Sequence, residues 1–122
     1  MGKTCRKGSM VRKGYTPERG DIVWLNFNPG SGHEQQGKRP AVVISPKEYN
    51  EKTGLGLFCP ITSKIKNYPF EVKIKNVKID GVVLADQIKS LDWKTRNIEF
   101  IAKETSEKTN EIISKISVLF LE

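Results

Sequence analysis

The fold class this sequence predicts is mostly β: a compact, largely antiparallel barrel or strongly curled sheet with short helices, closed by a C-terminal helix. Three observations predict it. Short β-branched and aromatic runs recur between Ile22 and Ala102, divided by Gly, Pro, Asn and Asp. A single helix-start signal, at Ser45-Pro46, interrupts them. After Ser106 the apolar spacing changes from period two to that of a helix.

Taken in order, residues 1–14 are basic and without periodicity, which predicts a disordered arm ahead of a domain over 15–122. Gly8-Ser9-Met10 reads like a fusion scar, which would make residues 1–9 foreign to the natural chain. Ile22 to Phe27 is the first predicted strand, stopped by Asn28-Pro29-Gly30, and Asn28 to Gly37 is a long mobile loop. Pro40, lacking an N–H, belongs at the start of the next strand, 41–45.

Ser45 as cap, Pro46 in the first turn and Glu48 three residues on predict a short helix that stops before Gly54. Leu55 to Thr62 returns to strand, and Ser63 to Tyr68 is a Lys-bearing loop. Phe70 to Lys75 alternates apolar with charged residues, so one face of that strand meets solvent. Asp80-Gly81 signals a turn, Val82 opens a strand extended to about Leu91, and Asn97 to Ala102 is the last strand. Ile112, Ile113, Ile116, Leu119 and Phe120 form one helical stripe, with Ser106 as cap, that should bury itself on the sheet.

Composition bounds the function. A chain of 122 residues holds one core, and none of its apolar runs approaches the ~18–20 residues of a membrane span or a secretory segment. Lys and Arg outnumber Asp and Glu by 21 to 14, a net charge of +7, as expected of a chain that meets phosphates or an acidic partner. Subtracting the three cations of the doubtful tail (Lys3, Arg6 and Lys7) from +7 leaves +4, so the basic excess survives. Two cysteines, Cys5 and Cys59, show neither metal spacing nor a disulfide framework, and Cys59 reads as a small buried hydrophobe in a reduced, cytoplasmic protein.

The motifs for a phosphate-binding loop, a paired-His zinc site and a nucleophile elbow are all missing, so nucleotide-hydrolysing and metal-dependent chemistry are poorly supported and no cofactor is expected. What is left is a basic surface with Arg39, Thr62, Ser63, Glu34, Gln35 and the lone histidine, His33. Lys38 and Arg39 stand where a Gly-bracketed polar loop empties into a strand, which gives them a rigid element behind them.

At these positions the chain resembles a known family. Gly20-Asp21-Ile22-Val23, Phe27-Asn28-Pro29, Gly32 to Val43, Tyr49-Asn50, Pro60-Ile61-Thr62-Ser63, Tyr68 to Val72 and Gly81 to Gln87 are similar to motifs of the MazF/PemK toxins, in the same order. Those toxins are sequence-specific mRNA endoribonucleases of toxin–antitoxin pairs. The resemblance runs from about Tyr15 to the C-terminus. It implies an SH3-like barrel of the MazF/PemK/CcdB type, a homodimer with a groove along its interface, and metal-independent cutting of single-stranded mRNA. It also implies a MazE-like antitoxin whose acidic, disordered segment lies in the RNA groove.

By the same resemblance, the family's Arg-Pro arginine falls on Arg39, its Pro-Ile-Thr-Ser threonine on Thr62, and its Glu-Gln pair on Glu34 and Gln35. Attack by an RNA 2′-hydroxyl on the adjacent phosphate needs a proton removed, a leaving 5′-oxygen protonated and phosphorane-like charge stabilised. A guanidinium fork matches two phosphate oxygens and a hydroxyl can donate to a third, which suits Arg39 and Thr62. Arginine is a poor base at neutral pH, so His33 and Glu34 are candidates for proton transfer or for shaping the groove.

Asn28, Gln35, Lys38, Ser63, Lys64 and Lys66 are the expected RNA contacts, and Lys73, Lys75 and Lys78 are either phosphate contacts or a solvated face. Phe27 and Trp93 are candidates for groove or dimer contacts, whereas Trp24 is expected to fill the core. A competing reading is a toxin of the same fold that binds DNA gyrase rather than cutting RNA. That group presents a Trp-Gly-Ile C-terminus where this chain has Leu119-Phe120-Leu121-Glu122.

Overall fold

The computed structural model describes residues 14–27, 37–76 and 78–121. The arm expected over residues 1–14 therefore lies outside the described residues but for Gly14, as does the loop over Asn28 to Gly37 but for Gly37. The elements run β1 (Asp21–Asn26), β2 (Lys38–Val43), α1 (Lys47–Thr53), β3 (Leu55–Thr62), β4 (Glu71–Lys75), β5 (Asp80–Leu84), β6 (Lys89–Asp92), β7 (Glu99–Lys103) and α2 (Ser106–Ser117). Single 3-10 turns at Ala85–Gln87 and Trp93–Thr95 flank β6. Among the described residues no helix is long and apolar enough to cross a membrane.

The strands make one curled antiparallel sheet in the order β4-β5-β3-β2-β1-β7, with β6 added to β3. The curl originates in β3, which changes partners along its length. Leu55 to Phe58 pair with β6, Phe58 to Pro60 with β2, and Ile61 and Thr62 with β5. Alternation along β1 and β2 sends Ile22 and Val42 to one face and Val23, Leu25, Ala41 and Val43 to the other.

The first face packs with Cys59, Ile61, Val72, Ile74 and Val83 under Ile112 and Ile116 of α2, and the second with Phe58, Leu91, Trp93 and Ile98. Because both faces are buried, β1 and β2 carry unbroken apolar runs where β4 alternates. Each large aliphatic side chain buried here is worth roughly 1.5–3 kcal/mol.

Gly54 ends α1 in the left-handed region, φ 74°, as its position predicts, and Leu55–Thr62 has the expected bounds. Several local expectations are corrected. Ser45 does not cap α1: its Oγ donates to the buried Asn50 Oδ1 at 2.5 Å and accepts from the Leu57 N–H at 2.8 Å, so a tertiary partner wins over the local N–H groups. Asp80 and Gly81 lie inside β5 and pair with Lys75 and Ile74. The strand expected from Val82 to Leu91 is broken by the 3-10 turn at Ala85–Gln87, which carries the chain from β5, on one end of β3, to β6 on the other.

Thr105, not Ser106, caps α2, its side chain accepting from the Lys108 N–H at 3.2 Å. The α2 stripe buries Ile112 and Ile116 and packs Ile113 against them, but Leu119 and Phe120 lie beyond the helix and are 48% and 75% exposed.

Candidate active site

Arg39 is held in β2 by its neighbour. Pro40 biases the residue before it toward extended backbone, so the strand begins at Lys38, three residues before the predicted start. Alternation then separates the two cations. The Lys38 Nζ reaches across to Glu99 Oε1 on β7 at 3.2 Å, so the predicted RNA contact is an ion pair in the free chain. Arg39 points to the face of Ala41 and Val43, is exposed, and sits opposite Leu25 in the β1 register. Its guanidinium carbon lies 5.5 Å from the centre of the Phe27 ring, a cation–π contact that leaves the N–H fork available to an anion.

The β2–β3 register pairs Ala41 with Pro60. Arg39 and Thr62 each stand two residues beyond that pair on the adjacent strands, Arg39 paired with Leu25 of β1 and Thr62 with Val82 of β5. Thr62 Oγ1 accepts the Lys64 N–H at 3.1 Å, closing the turn after β3, and its own hydroxyl proton is still available to donate. On the other side β5 presses against the Thr62 backbone. A Cβ on Gly81, whose φ is 149°, would lie 2.5 Å from the Thr62 carbonyl oxygen, so only glycine allows the approach.

Ser63, Lys64 and Lys66 are exposed on the loop that follows. That loop is built around a carboxylate: Glu71 accepts the N–H groups of Lys66 and Asn67 at 3.0 Å and of Tyr68 at 3.4 Å, with Asn67 at φ 58°. Lys115 of α2 donates to the Pro69 carbonyl at 2.7 Å, tying the loop to the helix. Between loop and sheet is a cleft of about 350 Å³, lined by Thr62, Lys64, Lys66, Tyr68, Glu71, Leu84, Asp86 and Gln87. In it the Tyr68 hydroxyl donates to Asp86 Oδ2 at 2.5 Å, and this bond raises the phenol above its ordinary value of 10.0. Tyr68, Glu71, Asp86 and Gln87 are additions to the predicted site, and the Tyr68 to Val72 and Gly81 to Gln87 motifs carry their signal in the sequence.

Of the other predicted site residues, Asn28, His33, Glu34 and Gln35 lie outside the described residues. Trp93 is corrected: it is buried in the second core face, its indole N–H donating to the Asn50 carbonyl at 3.1 Å, and is not a groove residue. Trp24, expected in the core, is only half-buried and belongs to neither cluster. Cys59 is fully buried, and burial first, then the charge of Asp86, push its thiol up to about 12. Among the described residues no cluster of three or more His, Cys, Asp or Glu is placed to hold a metal ion.

Among the described residues, a curled antiparallel sheet of seven strands closed by a C-terminal helix, with an exposed Arg39 on β2 and Thr62 of β3 lining a cleft, defines a small, mostly β protein on a basic chain of charge +7. Comparison with known proteins makes this particular. Residues 18–120 match the model of the PemK-like, MazF-like toxins of type II toxin–antitoxin systems, and the chain belongs to that family.

It is 47% identical over 105 residues to the endoribonuclease toxin MazF of Escherichia coli K12, covering 86% of this chain and 95% of the relative. The crystal structure of MazF (Form-I) from Deinococcus radiodurans superposes with a TM-score of 0.78 at 48% identity, over 87% of this chain and 97% of that one. A crystal structure of MazE-MazF (Form-II) from the same organism gives 0.77 at 43% identity, over 87% and 96%.

Proposed function

We propose that this chain is a sequence-specific endoribonuclease that cuts single-stranded mRNA without a metal ion, through attack of a 2′-hydroxyl on the neighbouring phosphate. Its relatives are named endoribonuclease toxins, and the chain is an endoribonuclease toxin of their family. What supports the finer reading is that Arg39 and Thr62 stand on the adjacent strands β2 and β3, each two residues beyond the Ala41–Pro60 pair, with Thr62 lining the cleft that Lys64 and Lys66 also line. In the reaction the 2′-oxygen bonds to phosphorus while the bond from phosphorus to the 5′-oxygen breaks. The products are a 2′,3′-cyclic phosphate, open to hydrolysis to the 3′-phosphate, and a 5′-hydroxyl.

Arg39 would donate to two non-bridging oxygens and the Thr62 hydroxyl to the charge that grows on the third. One removed donor of this kind typically costs about 10²–10³ in rate. His33 and Glu34 are the candidates for moving the proton. Ser63, Lys64 and Lys66, with Asn28 and Gln35 of the preceding loop, would guide the strand, and Lys38 would join them only by leaving Glu99.

Two partners go with this reading. An acidic MazE-like antitoxin would occupy the same groove, so it should compete with RNA, and saturating RNA should weaken its binding. A second copy of the chain would cover the exposed apolar run Val118 to Leu121, each residue 48% to 75% accessible, giving a homodimer.

The test is incubation of the protein with a long single-stranded RNA, and separately with the same sequence as a duplex. Discrete cuts at one short sequence in the single strand alone support the reading. Intact RNA with well-folded protein would overturn it and favour a toxin that acts by binding, DNA gyrase being the target to assay next.

A further inference from the structure

Among the described residues no side chain hydrogen-bonds the Arg39 guanidinium; what it lies against is the Phe27 ring. The position of that ring therefore decides where the donor fork points. Phe27 directly follows the last residue of β1, so its ring is placed by whatever holds its backbone.

The anchor is Arg96. Its Nη1 donates to the Asn26 carbonyl at 3.1 Å and to the Phe27 carbonyl at 3.0 Å, while its own carbonyl accepts the Asn26 N–H at 2.9 Å. The Phe27 N–H in turn bonds the Gly37 carbonyl at 2.7 Å, closing the neck from which β2 and Arg39 start. Arg96 is itself fixed from behind: it follows the 3-10 turn whose Trp93 is buried and bonded to Asn50. The Arg96 Nε–H is buried without a partner among the described residues, so the Nη1 bonds to the two carbonyls are the guanidinium contacts the structure describes.

We infer that Arg96 is a positioning residue for the cleavage reaction: by pinning the Asn26 and Phe27 carbonyls it holds the Phe27 ring under Arg39 and so aims the Arg39 fork. The inference rests on the ribonuclease reading for its kinetic consequence, but not for the contact itself. Its effect falls on the chemical step, because a misaimed donor weakens transition-state stabilisation more than ground-state binding.

The experiment compares Arg96→Met, which keeps the stem and removes the donors, with Arg96→Lys, Phe27→Leu and Arg39→Ala. Single-turnover cleavage of single-stranded RNA is measured alongside the NMR signal of the Arg39 Nε–H, which the ring current of Phe27 shifts in the wild type. In Arg96→Met the cleavage rate at saturation is expected to fall about tenfold with the half-saturating concentration unchanged, and the Arg39 signal to move toward that of free arginine. Arg96→Lys should recover part of both. Combined with Arg39→Ala, Arg96→Met should cost nothing more.

An added loss in that double variant, or an unmoved Arg39 signal in Arg96→Met, would overturn the inference. Should Arg96→Met not fold, Phe27→Leu decides: a tenfold loss that disappears in the Arg39→Ala background supports it, and an unchanged rate overturns it. A wild type that cuts no RNA would sink the ribonuclease reading, while the Arg39 signal would still decide the contact.

Discussion

Replacing Gly81 with alanine separates damage to the site from damage to the fold. The added Cβ would stand 2.5 Å from the Thr62 carbonyl oxygen and 3.1 Å from its carbon, both backbone atoms with nowhere to swing. Relief to an ordinary contact of about 3.4 Å requires β5 and the end of β3 to part by roughly 0.9 Å. At φ 149° the alanine would also be strained whatever the space, so a loss of about 1–3 kcal/mol in stability is expected. A displacement of about 1 Å at a reacting group typically costs ~10²-fold, and Thr62 is the residue displaced, so kcat should fall by about that factor.

Gly54→Ala is the control. It too has a positive φ, 74°, but its Cβ would meet only the Lys94 side chain at 3.9 Å, far along β3 from Thr62. It should lose about 1 kcal/mol by denaturant titration and keep its kcat. Equal kcat losses in both variants, or an unchanged kcat in Gly81→Ala, would refute the argument that the Thr62 backbone position sets the rate.

Further expectations follow from the packing. Asn50→Ala removes the donors to the Pro17 and Ser45 carbonyls and the acceptor of the Ser45 hydroxyl, all buried, and should destabilise by at least roughly 2 kcal/mol in urea titration. Ile116→Ala, under α2, should cost about 2–5 kcal/mol in the same assay. In a Cys5→Ser background, Cys59, with its thiol pushed up to about 12, should resist a thiol reagent at pH 8 until urea unfolds the chain. The Tyr68 phenol, raised by its bond to Asp86, should titrate above 10.0 by difference absorbance against Tyr68→Phe. The stability it contributes is complete below the unfolded value and disappears as pH climbs through the raised one, so wild type and Tyr68→Phe should converge in stability only at strongly alkaline pH.

How much of this was legible depended on whether the deciding interaction was local. Gly54 could be read because the αL stop is a property of one residue, and the Phe70 to Lys75 alternation because the period itself reports a half-exposed strand. Ser45 could not, since its partner, Asn50, becomes a buried hub only when Pro17, β3 and Trp93 close over it. The break at Ala85 has no Gly or Pro to announce it and exists because β3 changes partners there. Leu119 and Phe120 continue a helical stripe in sequence, yet the helix stops at Ser117 and leaves them in solvent.

At the site, Arg39 and Thr62 are legible through their motifs, and the β2–β3 pairing puts them on adjacent strands. Glu71 works locally, on the N–H groups of Lys66, Asn67 and Tyr68 within and just ahead of the Tyr68 to Val72 motif, whereas Arg96 acts on carbonyls 70 and 69 positions away, a role that no spacing encodes.

The most direct test of the account is the chemistry of the cut ends, mapped in EDTA on one single-stranded RNA with wild type, Arg39→Ala and Thr62→Ala. The account predicts 5′-hydroxyl and 2′,3′-cyclic or 3′-phosphate ends from the wild type, with at least about a 10²-fold loss in each variant. Ends bearing a 5′-phosphate, or cuts that persist at the wild-type rate in Arg39→Ala, would contradict it.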